Sequence, residues 1–257
     1  MAEPNDLPIE HRFLAPEDFP ACPIDKDNIA EQAFPSRMLR ERADSIRRAL
    51  PRSLGNFLDI GSCKGYFVLE AAASASCPLA VGIDVHEPFV GVANEVRNWL
   101  GRDNARFHCA SLDAVAAEPG RFGGPFQTVL LVSTYHYLYW GSDLEPKAFG
   151  QHRTILAMLA RVCRGYLVFA NPLEIRDCPA IIQHAARARG AGEFNRESFL
   201  DAATEFFDVF QIGHMDRKRK RPLLLLARNL QVRREREVQS PAHAVDGVGV
   251  HEVADRS

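Results

Sequence analysis

The sequence predicts an α/β protein built on a doubly wound, mostly parallel seven-stranded sheet that closes in an antiparallel hairpin. Three observations carry this expectation. Short, near-continuous apolar runs alternate with segments of helical apolar spacing, the pattern of parallel strands covered on both faces. The first apolar run passes through a glycine-containing turn into a helix. The last two runs are only about ten residues apart, too few for a comfortable crossover helix, so they should pair antiparallel.

Taken in order, Arg37–Leu50 reads as a helix, with Pro35 before it, Ser36 as a candidate N-cap and Pro51 to end it. Asn56–Ile60 (NFLDI) is a short apolar strand, and Tyr66–Ala73 continues as an Ala-rich helix. Leu79–Ile83 (LAVGI) is a strand of the buried type. In Pro88–Leu100, Phe89, Val92, Ala93, Val96, Trp99 and Leu100 mark one helical face. Ala105–Cys109 is a short strand, and Thr128–Val132 (TVLLV) is the strongest buried one. Ile155, Met158, Leu159 and Val162 form a stripe that predicts a helix over Pro146–Cys163. Gly165–Ala170 is a strand, and Arg196–Thr204 is a helix that Asn195 can cap. Phe207–Ile212 and Leu223–Ala227 are the closing strands.

Composition bounds the function classes. The chain has 257 residues, 46% hydrophobic and 25% charged, with a formal net charge of −2, which excludes a wholly disordered or collagen-like protein. No apolar run approaches the roughly 20 residues of a membrane helix, and the acidic, Pro-containing MAEPNDLPIE start lacks the pattern of a secretory signal. The six cysteines show no Cys-x-x-Cys pair, so free thiols in a reducing cytoplasm are expected, with neither a disulfide framework nor a zinc site. Residues 1–31 carry eight acids and two bases, and residues 217–236 carry nine bases and one acid. These shifts divide the chain into an N-terminal arm and helix (1–51), a main domain (52–231) and a polar, aperiodic tail (232–257) expected to be disordered. The sequence specifies no oligomeric state.

The most informative segment is Phe57-Leu58-Asp59-Ile60-Gly61-Ser62-Cys63-Lys64-Gly65-Tyr66-Phe67. A strand, a glycine turn and a helix in that order put a ligand at the carboxyl end of the sheet, and Gly61 and Gly65 let backbone approach it closely. Asp84 ends the second strand 23 residues after Gly61, where a carboxylate can accept both hydroxyls of a ribose. A dinucleotide would call for G-x-G-x-x-G. Here the two glycines are four apart, Cys63 occupies the middle position, and Asp59 is poorly suited to a pyrophosphate. A carboxylate suits the positive amino group and sulfonium of S-adenosylmethionine. The bland alternative is a glycine turn that only joins strand to helix.

This pattern resembles motif I of the class I S-adenosylmethionine-dependent methyltransferases, roughly acid-x-Gly-x-Gly-x-Gly. Asp59, Gly61 and Gly65 match it, Cys63 replaces the middle glycine, and Asp84 matches the family's ribose-binding acid. The likeness covers about 56–228 and implies a Rossmann-like sheet with S-adenosylmethionine as cofactor. It implies donor contacts from Asp59, Gly61, Ser62, Gly65 and Tyr66 in the first loop and from Asp84 and Val85 after the second strand. Ser111 and Leu112 would follow at the adenine position, where Asp113 is also a candidate, and Ser133 after the fourth strand.

Three of the five tyrosines lie in Ser133-Thr134-Tyr135-His136-Tyr137-Leu138-Tyr139-Trp140, directly after TVLLV. In the family this place lines the acceptor site. Tyr135-His136 is similar, with an offset of one residue, to the Tyr-His of the wobble-uridine carboxymethyltransferase branch. Methyl transfer gains from holding acceptor and donor in line, and a hydroxyl or ammonium acceptor must also lose a proton. His136 and Tyr135 are the candidate catalytic residues, with His136 as base, and Tyr137, Tyr139 and Trp140 the candidate substrate contacts. The other reading of the same residues is core and wall, with His136 bonded to a backbone carbonyl.

Arg217-Lys218-Arg219-Lys220-Arg221 could attract an anionic acceptor such as RNA, although a solvated turn is the favoured reading and the overall pI of ≈ 6.5 is not that of a dedicated nucleic-acid binder. His214 and Asp216 are too few to make a metal site, so no metal is expected. The resulting expectation is methyl transfer to an oxygen or nitrogen of a small polar metabolite or carbohydrate. A tRNA methyl- or carboxymethyltransferase and a non-catalytic binding protein are the alternatives.

Overall fold

The computed structural model describes residues 37–190, 192–215 and 221–228. Helix α1 (Arg37–Ala49) leads into β1 (Phe57–Ile60), α2 (Tyr66–Ala72), β2 (Ala80–Asp84), α3 (Glu87–Trp99) and β3 (Ala105–Cys109). Then come α4 (Leu112–Ala117), β4 (Phe126–Val132), α5 (Tyr135–Trp140), α6 (His152–Val162), β5 (Cys163–Ala170), α7 (Ala180–Arg189), α8 (Arg196–Thr204), β6 (Phe207–His214) and β7 (Pro222–Arg228). Short 3-10 turns occupy Pro119–Phe122 and Ile175–Asp177.

The sheet runs β3-β2-β1-β4-β5-β7-β6. Strands β1 to β5 pair parallel, and β7 enters antiparallel between β5 and β6. The order reverses between β1 and β4, so the carboxyl ends of those two strands open the crevice where α/β sheets take ligands.

Strand alternation sends side chains to two cores. Leu58, Ile60, Val129 and Leu131 face a cluster with α4, α6, α7 and α8, while Phe57, Leu130 and Val168 face α1, α2 and α3. Helix α6 shows why the apolar stripe is decisive. Ile155, Leu156, Leu159 and Val162 are fully buried, and at about 1.5–3 kcal/mol per side chain that contact outweighs the weak intrinsic tendency of a helix of 11 residues. Helix α1 is part of the same packed unit through Ala43 and Ile46.

Three expectations shift. The aromatic stretch after β4 folds as α5. The helix expected from Pro146 starts at His152, because Ser142–Glu145 form a turn and Gly150 takes a left-handed φ of 66°. Helices α4 and α7 were not anticipated: both are short or weakly striped. The acidic arm, the tail and residues 217–220 of the basic turn lie outside the described residues. Among the described residues no helix is long and apolar enough to cross a membrane.

Candidate active site

The loop after β1 is held from two sides. Gly61 and Ser62 donate their amides to the Ile83 carbonyl at 2.9 and 3.0 Å. The Asp84 carboxylate accepts from the amides of Cys63 (2.8 Å) and His86 (2.9 Å). Gly61 (φ 75°) must lack a side chain, since a Cβ there would lie 2.3 Å from Thr134 Oγ1. Cys63 takes φ 51°, a conformation that costs a non-glycine residue of order 1–3 kcal/mol and here is enforced by Asp84. Burial pushes its thiol up to about 11, so it stays protonated at neutral pH. Beneath the loop, Asp59 is buried. Desolvation, and then the charge of Asp84, raise its carboxyl to about 8.

A cleft of ≈ 380 Å³ opens over this loop, between Ile60, Gly61, Asp84, Val85 and Phe89 on one side and Thr134, Tyr137, Leu138 and the 141–151 loop on the other. Ser111, Leu112 and Asp113 at the start of α4 close its far end. Among the described residues, four carboxylates, Asp84, Asp113, Asp143 and Glu145, line it against one ammonium, Lys147, a balance that suits a cationic guest. Lys147 pairs with Asp113 and ties the loop to α4. Burial alone raises the Asp113 carboxyl, but hydrogen bonds from Lys147 and Ser111 outweigh it and hold the group below the usual carboxylate range.

At the end of β4 the chain turns sharply through Ser133, at φ 56°. Asn171, fully buried just past β5, holds that turn: its Oδ1 accepts from the amides of Thr134 (2.7 Å) and Tyr135 (2.9 Å), and its Nδ2 donates to the Leu131 carbonyl (2.7 Å). Helix α5 therefore starts at a fixed angle. A second cavity, of ≈ 530 Å³, lies on the other side of Tyr137, lined also by Ser133, His136, Arg42, Asp177 and Arg221. Tyr137 is the wall common to both cavities. Arg221 is buried at the start of β7 and donates to Ser133 Oγ at 2.7 Å. The His136 side chain is 2% exposed, and neither ring nitrogen has a hydrogen-bond partner. Desolvation, reinforced by Arg221, lowers His136 to about 4, so the ring is neutral at pH 7.

Of the sequence-predicted donor residues, Gly61, Asp84, Val85, Ser111 and Leu112 line the first cleft. Ser133 faces the second cavity instead. Asp59, Ser62, Gly65 and Tyr66 lie outside the lining: Gly65 packs on Phe107, and Tyr66 is a core residue beside Phe67. Of the aromatic stretch, Tyr137 reaches both cavities and His136 the second. The expectation for Tyr135 is corrected: it is fully buried, edge-on to Phe169 and Phe199. His152 Nε2 bonds the Glu193 carbonyl (3.1 Å) and so carries the proton there, which leaves Nδ1 to accept from the Tyr135 hydroxyl (2.7 Å). That hydroxyl is committed to the core. Tyr139 and Trp140 are corrected likewise, since both are buried around Phe194. The solvated reading of the basic turn fails at its last residue, Arg221. Sequence reasoning missed Arg42, Thr134, Lys147 and Asn171; an Asn-Pro directly after an apolar strand was the one local signal, at Asn171.

No protein-family model matches the sequence, and no curated protein sequence does. Solved structures do. Monomeric WbdD matches with a TM-score of 0.51 at 19% identity, over 86% of this chain and 46% of that one. EvdMO1 matches with a TM-score of 0.51 at 16% identity, over 80% and 44%. A 2.2 Å structure of WbdD gives 0.50 at 20% identity, over 74% and 38%. WbdD is described as a bifunctional kinase-methyltransferase. The chain thus spans less than half the length of either neighbour. In this chain the switch-point crevice, the glycine loop and the antiparallel β5-β7-β6 ending occur together, and the chain has the fold of the S-adenosylmethionine-dependent methyltransferases.

Proposed function

We propose that the protein is an S-adenosylmethionine-dependent methyltransferase acting on an oxygen or nitrogen of a small polar metabolite or carbohydrate. One observation carries this reading: an acid-lined cleft at the glycine loop and a cavity holding an unpartnered buried histidine share a single aromatic wall, Tyr137. The cleft suits the donor. Its carboxylates match a molecule with a sulfonium and an ammonium group, Asp84 in the lining would accept from ribose hydroxyls, and the backbone at Gly61 admits close approach. When bound, S-adenosylmethionine supplies an electrophilic methyl group on sulfur. Asp59, beneath the loop, is mostly protonated at neutral pH and would ionise only with the donor's ammonium group close above it.

The chain's own chemistry sits across Tyr137. Neutral His136 presents one acceptor and one donor nitrogen, and it can take the proton that an O–H or N–H acceptor loses. Its low pKa makes it a weak base, so it serves best when methylation itself acidifies the acceptor. The catalytic unit is residues 52–231 together with α1, which brings Arg42 to the second cavity.

Calorimetry with S-adenosylhomocysteine and with NADH tests the donor assignment, and a radiolabelled methyl-transfer screen tests the acceptor. Micromolar binding of the first and none of the second is expected. No binding of S-adenosylhomocysteine at millimolar concentration would overturn the proposal. EvdMO1, whose N-terminal domain was crystallised in the presence of SAH and D-fucose, makes D-fucose one natural member of that screen.

A further inference from the structure

We infer that the acidic N-terminal arm of this chain, residues 1–36, docks through its apolar side chains on the exposed face of β5, β7 and β6. The inference does not rest on the methyltransferase reading.

This face is apolar and only partly covered. Phe207 and Val209 pack into the cluster with α4, α6, α7 and α8, so Phe210 between them and the strand end points to the opposite side of the sheet. There it is in register with Leu225 of β7, which pairs in turn with Val168 of β5. Val168, Leu223 and Met215 are buried in the cluster with α1, α2 and α3. Outward from them the cover thins. Leu225 is half-buried, Tyr166, two residues before Val168, is 37% exposed, and Phe210 is 52% exposed. Ile212, 41% exposed, follows at the β-bulge of the same strand. These are three of the five large apolar side chains exposed among the described residues, gathered on two strands. Apolar surface next to an edge strand invites a partner.

Place, composition and charge select the arm as that partner. Helix α1 is the first described element, and its Ala43 and Ile46 lie in the same cluster as Val168 and Leu223, so the arm enters on this face. Arg42 of α1 lines the second cavity together with Arg221 at the head of β7, which puts the entry at the end of the sheet where β6 turns into β7. The arm carries Phe19, Ile24, Ile29 and Phe34 close before α1, whereas the tail from 229 to 257 has no aromatic residue. The first 31 residues hold eight acids and two bases, and the β6–β7 turn holds four consecutive bases, Arg217 to Lys220. Opposite charge draws the arm to this end of the sheet, and the same sign disfavours the tail, which has three arginines within 233–236. Reach is ample: Phe19 to Phe34 can span up to ~50 Å, against a width of ~10 Å for three strands.

Photo-cross-linking of the full-length protein with p-benzoylphenylalanine in place of Phe210 tests this, followed by peptide mapping. Phe210 is exposed, so the replacement leaves the core intact, and Ile212→p-benzoylphenylalanine repeats the reading one step along the strand. Both probes should form an intramolecular cross-link to a peptide within residues 1–36. Ile29→Ser with Phe34→Ser should lower the yield by about tenfold, the order expected when buried apolar side chains are lost. Asp25→Asn, Asp27→Asn and Glu31→Gln together should lower it too. The same probe at Leu144, exposed on the 141–151 loop, should not capture the arm. Cross-links to the tail, to a second copy or to nothing overturn the inference. So do equal capture from Leu144 and a yield unchanged by Ile29→Ser with Phe34→Ser.

Discussion

Replacing Asn171 by alanine is expected to cost about 3 kcal/mol of unfolding free energy. The side chain makes three hydrogen bonds, from Thr134 N, from Tyr135 N and to Leu131 O, all between 2.7 and 2.9 Å, and it is fully buried. Each such bond contributes about 0.5–1.5 kcal/mol net, and more where the surviving partner stays dry. Against a total stability of about 5–15 kcal/mol, the variant should still fold. Urea unfolding followed by tryptophan fluorescence reads it directly, because Trp140 ends the helix that Asn171 starts. Asn171→Asp supplies the control. A carboxylate keeps both acceptor bonds but faces the Leu131 carbonyl without a proton. Its folded pKa must therefore rise above the unfolded value of about 3.9. A raised pKa means stability that is present below pH 4 and lost as pH climbs. At pH 3 the protonated acid can donate to Leu131 O and regain much of the loss. An alanine variant that loses under about 1 kcal/mol, or an aspartate variant with no pH dependence beyond that of the parent, would refute this account of the turn.

Further outcomes follow from the same geometry. Gly61→Ala should cut S-adenosylhomocysteine affinity at least tenfold and lower stability by about 1–2 kcal/mol, because the new methyl meets Thr134 and φ is 75°; calorimetry and a thermal melt check both, and parental affinity would remove the loop from the donor site. His136 is held at about 4 in the fold, below its unfolded value of about 6.5, so acidification protonates the unfolded chain first. The stability gap between the parent and His136→Gln should therefore move against the parent by up to about 3 kcal/mol between pH 6.5 and 4; a constant gap in urea midpoints would contradict the burial of a neutral ring. Asp59 has the opposite sign. Its pKa is raised to about 8, so the parent should lose stability relative to Asp59→Asn as pH rises from 4 to 8, and parallel curves would show that the carboxyl is already ionised.

Most strands could be read from the sequence because they are buried on both faces, and a strand such as TVLLV then needs no polar positions. The glycine loop and Asp84 were readable for a different reason: their spacing is set by the crossover from β1 to β2, which is local. The aromatic stretch was not, because Tyr135–Trp140 lacks the polar face that marks a surface helix. Its helix is started by Asn171, 36 residues later than Tyr135. Tyrosines two apart look equivalent in an extended chain. On α5 Tyr135 and Tyr139, four apart, share the inward face, while Tyr137 turns to the cavities. Arg42 and Arg221 lie 179 positions apart in the numbering, on the first described helix and directly before the last described strand, and the antiparallel entry of β7 brings them to one space.

The 141–151 loop supplies six of the cleft-lining residues, from Ser142 to Phe149, yet it crosses no strand of the sheet. Its side-chain tie to α4 is an exposed ion pair, Lys147 with Asp113, of the kind that salt screens and that holds only loosely. The rigid parts of the site (Gly61, Asp84, Asn171) belong to the sheet. The protein thus keeps apart what must not change from what can. Insertions or substitutions in this one loop can reshape a wall of the cleft while the strands, the glycine turn and the α5 clamp stay as they are. Such a division makes the loop the natural place for evolution, or a library of variants, to alter selectivity without risking the fold.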